Sequence, residues 1–124
     1  MLLTSLTSCS SVLEFLNLLK KEDPNTYPSA YRTELLDYLK RNPTAITRAR
    51  EASISAPSMK PFGSDSRYFV CLKTDDDGTQ VEKIAVFVAA RIVQFIDAGE
   101  ECNRAFYQPF PELVAMLAQA GGKK

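Results

Sequence analysis

At 124 residues, 45% hydrophobic and 24% charged, the chain has the size and balance of one folded domain with its own core, which excludes a disordered or fibrous polypeptide. Lys plus Arg and Asp plus Glu both number 15, so no global field draws it to nucleic acid or anionic lipid, and any such attraction must be local. Histidine is absent, which excludes Ser-His, Cys-His and His-metal chemistry and leaves catalysis only to carboxylates, a perturbed lysine, a thiolate without imidazole or a cofactor.

Near the N-terminus, Leu6-Thr7-Ser8-Cys9 resembles the lipobox of bacterial lipoproteins. The stretch before Cys9 has no basic residue and is broken by Thr4, Ser5 and Thr7, unlike a secretory apolar region of about 7–15 residues, so no leader is expected. No segment approaches the ~20 apolar residues of a membrane span, and a soluble protein without a membrane partner is expected.

The first predicted helix spans Val12 to Lys21, since Ser11 and Glu14 have capping-box spacing and a dense apolar run follows; Asp23-Pro24-Asn25 stops it. A second helix is expected from Ala30 to Lys40, with Tyr31, Leu35, Tyr38 and Leu39 on one stripe. Asn42-Pro43 combines a good cap with a good first helical residue, which predicts a third helix from Thr44 to Ala52. Residues 53–66 turn to Ser, Pro and Gly and read as a hinge loop within a single domain, 1–124.

Arg67 to Thr74 reads as a strand with Tyr68, Val70 and Leu72 on one face and Arg67, Phe69, Cys71 and Lys73 on the other. Asp75-Asp76-Asp77-Gly78 makes a hairpin turn, and Thr79 to Phe87 returns as its second strand. From Val88, the residues Ile92, Val93, Phe95 and Ile96 fit a helical stripe ending at Gly99, and a last helix is expected from Pro111 to Gln119. The resulting fold class is α+β: an N-terminal helical half of about three helices, one antiparallel β-hairpin and two C-terminal helices. A lone hairpin is marginal in water, so it must rest on helices, gain a short strand near Arg104 to Tyr107, or pair by its edge in a homodimer.

The three cysteines, Cys9, Cys71 and Cys102, form no CxxC pair and leave an odd thiol, which points to a reducing, cytoplasmic setting. Cys71 reads as a small buried hydrophobe, and Cys102, beside Glu100 and Glu101, as a poor nucleophile. Asp75-Asp76-Asp77 has turn chemistry and lacks the spacing of a hard-cation loop, and the scattered glycines make no phosphate cradle. No catalytic, cofactor-binding or metal-binding residue is expected, and no cofactor.

Two surfaces remain. The aromatic segment from Phe106 and Tyr107 to Phe110, joined by Tyr68, offers large contact area stiffened by proline. The expected second and third helices would make a helix-turn-helix whose reader carries Thr44, Thr47, Arg48 and Arg50, in a segment with 6 basic and 3 acidic residues between Arg32 and Lys60. The first surface leads to the expected function, a non-catalytic protein-interaction module acting on another protein through the hairpin edge or the aromatic surface. The second makes the alternative a DNA-binding regulator, and an enzyme comes third.

Overall fold

A computed structural model describes residues 23–121. In chain order the elements are α1 (Tyr31–Arg41), β1 (Glu51–Ser55), β2 (Ser58–Phe62), β3 (Asp65–Asp76), β4 (Thr79–Val88), β5 (Arg91–Asp97), a 3₁₀ turn (Glu100–Cys102), β6 (Tyr107–Pro109) and α2 (Pro111–Gly121). The strands form one antiparallel sheet in the order β5-β4-β3-β1-β6, with β2 also paired to β3.

The described residues are therefore mostly sheet, with six strands and two helices, in place of a helical half followed by one hairpin and two helices. The helix expected from Ala30 occupies Tyr31–Arg41, and the last one Pro111–Gly121. The expected helix at Val12 to Lys21 lies outside the described residues. Three local expectations are overturned.

The expected helix at Thr44 to Ala52 is absent because Asn42 caps backward. Its side-chain amide donates to the Tyr38 carbonyl at 2.8 Å and its backbone N–H to Leu39 O at 3.3 Å, closing α1 instead of opening a new helix. The chain then extends into β1. Residues 53–66 form most of β1, all of β2 and the start of β3, so the expected hinge is strand.

The third correction is Val88 to Ile96, which is a hairpin with β5 as its second arm. Its two-residue loop is Ala89-Ala90, with φ +51° and +64°, a left-handed geometry usually filled by Asn and Gly. The other two-residue loops use the expected residues: Gly63 at φ +68° joins β2 to β3, and Asp77-Gly78 at +56° and +87° joins β3 to β4.

Both helices cover one face of the sheet. Leu35 and Leu39 of α1 and Leu113 of α2 share a core with Ile54, Val70, Leu72, Ala85, Phe87 and Phe110. On the opposite face a second cluster joins Phe69, Cys71, Ile84, Val86 and Cys102. Among the described residues no helix covers this second face; the segment from Ala98 to Phe106 crosses it, tied down by a disulfide between Cys71 of β3 and Cys102. The two cysteines are thus not free thiols: burial of Cys71 is observed, but the pairing removes the premise of a reducing setting. No described helix is long and apolar enough to cross a membrane.

Candidate functional site

The site begins with an irregularity in β1 and β2. Ile54 lies opposite Leu72 and Ser58 opposite Phe69, so Ser55, Ala56 and Pro57 face only Val70 and Cys71 across a bulge. The bulge breaks the ladder at Cys71, and the buried Ser55 hydroxyl replaces the missing carbonyl by accepting the Cys71 N–H at 2.8 Å. One side chain thus keeps the strand pair together where the backbone parts.

Over this bulge the disulfide-held segment forms a wall, leaving a groove of about 680 Å³. Phe69 and Cys71 lie at its floor, Met59 and Lys60 of β2 on one side, Arg104 and Phe106 on the other. Lys60 Nζ donates to Glu101 Oε2 at 2.7 Å across the groove. That bond, reinforced by the backbone N–H groups of Glu101 and Gly99, holds the Glu101 carboxyl below its ordinary value. Gly99 donates to Glu101 Oε1 at 2.7 Å, and a Cβ at Gly99 would sit only 3.0 Å from that oxygen.

Chemically, three of the groups at the groove are already engaged. The Lys60 ammonium is tied to a carboxylate, the Ser55 hydroxyl accepts a backbone bond, and Cys71 is oxidised. What the rim offers is contact surface. Phe106 is 87% exposed and Met59 45%, and Arg104 has no carboxylate within ion-pair distance among the described residues.

The four aromatic residues expected to form one binding surface are dispersed. Phe106 points to solvent, whereas Phe110 is fully buried in the helix-covered core beneath the Arg32 guanidinium, 5.4 Å from its ring centroid. Tyr107 is half-buried on the other face, its hydroxyl donating to Glu82 Oε2 at 2.5 Å and its ring 4.4 Å from Lys73 Nζ. Burial first, and the Glu82 carboxylate second, push the Tyr107 phenol above its ordinary value. Tyr68 packs edge-on against Tyr27 at 5.3 Å.

The basic residues do not converge either. Thr44, Thr47, Arg48 and Arg50 are exposed on an irregular connection into β1, so the structure brings no reader helix together; Arg50 lies 3.9 Å from Asp77. The acidic turn is accounted for locally, because Asp75 Oδ1 accepts the Gly78 N–H at 3.0 Å.

The expected hairpin of β3 and β4 lies in the interior of the sheet, since β1, β2 and β5 supply its neighbours. The true edges are blunted in the ways that discourage strand addition. On β5, Glu34 Oε2 accepts the Ile92 N–H at 2.9 Å, and a bulge leaves Val93 without an opposite residue. Strand β2 carries Lys60 and Pro61, and β6 is three residues long and ends in Pro109.

Sequence reasoning singled out Phe106 but missed Met59, Lys60, Glu101 and Arg104 as its neighbours. Those residues are brought together by the Cys71–Cys102 link, whose pairing no spacing rule gives, and by the Lys60–Glu101 pair. Compared with protein-family models, with curated proteins and with solved structures, the chain matches none.

Proposed function

We propose that this chain is a small non-catalytic protein-interaction module, a regulator, adaptor or inhibitor, that holds a protein partner by side-chain complementarity at the groove beside Phe106. The observation that carries this reading is an aromatic ring 87% exposed on a segment tied to the sheet by a disulfide. Covering such a ring yields roughly 1.5–3 kcal/mol, and a backbone already held in place loses little entropy when it binds. Exposed aromatic anchors of this kind dominate many interfaces.

The blunted edges of β2, β5 and β6 favour this mode over strand addition. The occupant is an extended partner segment with an apolar side chain to cover Phe106 and Met59 and a carboxylate for Arg104, the groove cation that Glu101 does not neutralise. Comparative affinity capture from the native host tests the reading. A partner retained by the natural chain and by the edge variant Val93→Thr, but lost from Phe106→Ala and Arg104→Glu, supports it. Equal retention by the two groove variants overturns it.

A further inference from the structure

The wall of the groove hangs on few bonds. Ala98 N–H reaches Glu82 O at 3.0 Å, and beyond that point the hydrogen bonds of the segment are internal: Gly99 to Glu101, Asn103 N–H to Glu100 O at 3.1 Å and Ala105 N–H to Cys102 O at 3.1 Å. Between Ala98 and Tyr107, besides the apolar packing of Cys102 and the small Ala105 side chain on the second face, two directed links to the sheet remain among the described residues. One is the Lys60–Glu101 pair, partly exposed and of the kind that solvent and salt weaken. The other is the covalent bond between Cys71 and Cys102.

The sheet, in contrast, is held by much more than that bond. Strand β3 pairs with β4 from Tyr68 to Asp76 on one side and with β2 and β1 on either side of the bulge on the other, and both helices pack on the face away from the disulfide.

We propose that the groove is redox-conditional: the Cys71–Cys102 disulfide is the clasp that makes it, and a dithiol reductant dismantles it while the sheet stays folded. Both cysteines are buried, so the reductant's thiolate reaches the Cys71 sulfur, beneath the groove, as the wall opens locally; the S–S bond breaks with its electron pair leaving on Cys102, which then takes a proton. The second thiol of the reductant displaces Cys71 from the mixed disulfide, and Cys71 is protonated in turn. Two electrons and two protons pass to the chain, and the reductant leaves as its own disulfide. The groove belongs to the oxidised chain, which suits an oxidising compartment and not the cytoplasmic one. This inference rests on the groove being the working surface, but its test needs no partner.

Amide hydrogen exchange is compared for three forms of the full chain: oxidised, reduced with dithiothreitol, and Cys71→Ala/Cys102→Ala. The expected result is exchange faster by at least about tenfold from Gly99 to Phe106 in the reduced and variant forms, with β3 and β4 protected as before. A second variant, Cys71→Val/Cys102→Ala, fills the space left at the sheet if the first does not fold. Unchanged protection of the wall, or collapse of β3 and β4 protection in both variants, overturns the proposal. A loosened wall combined with undiminished capture of a partner would leave this inference standing and sink the reading of the groove as the binding surface.

Discussion

Replacing Ala90 by glycine should stabilise the protein, although the change removes a methyl group and touches no core residue. Ala89 and Ala90 sit at φ +51° and +64°, where an L side chain costs about 1–2 kcal/mol per residue. Glycine at position 90 removes one such penalty and returns about 0.4–1 kcal/mol through the greater freedom of the unfolded chain. The net gain is centred on about 0.8 kcal/mol and is at most about 1.6 kcal/mol, and the central value raises Tm by about 3–6 °C for a body of roughly 100 residues. Thermal and urea denaturation of the natural chain and Ala90→Gly measure it. The control is the same chemical change at Ala118, exposed within α2, where it should cost about 1 kcal/mol. A lower midpoint for Ala90→Gly would refute the left-handed loop and, with it, the hairpin that positions β5.

Three other perturbations follow from the site. Ser55→Ala leaves the buried Cys71 N–H without an acceptor and should cost about 1–3 kcal/mol in urea unfolding; a neutral result would mean that the bulge does not need this hydroxyl. Because Glu101 has a folded-state value below its ordinary 4.5, its contribution is fully present above that pH and is lost as pH falls through the lowered value, so Glu101→Gln should flatten the stability profile on the acid side. Tyr107 is shifted the opposite way: its contribution is complete below pH 10.0 and declines as pH rises toward its raised value, so its ring should remain protonated at pH 10.0 by NMR, and Tyr107→Phe should lose less stability in alkali.

Residue patterns gave two of the six strands and both described helices but not the sheet that dominates the fold, and the failures have physical causes. Alternation in Tyr68 to Leu72 and the Asp77-Gly78 turn declare β3 and β4, and the apolar stripe of Leu35 and Leu39 declares α1. β5 escaped because its turn is Ala-Ala, with no Gly or Asn to mark it. The bulge at Val93 also inserts a residue into the alternation, so Ile92, Phe95 and Ile96 fall at helical spacing. β1 and β2 escaped because half of their ten residues are Ser, Ala or Pro, and only Ala52 and Ile54 reach the helix-covered core. Their strand geometry comes from β3, a tertiary influence that overrides local composition.

The groove was harder to read still. Of the four aromatic residues Phe106, Tyr107, Phe110 and Tyr68, composition cannot tell the one facing solvent from the ones at work in packing. The choice depends on the path from Cys102 to β6, and that path is set by a cross-link over a sequence separation of 31.

Site-specific photo-crosslinking tests most directly whether this surface, and not a sheet edge, meets the partner. A benzophenone amino acid is placed at position 106 in one version of the chain and at position 93 on β5 in another, each is irradiated in the native host, and the adducts are identified by mass spectrometry. One protein joined through position 106 and none through position 93 is the expected result. A partner joined through position 93 alone would contradict it.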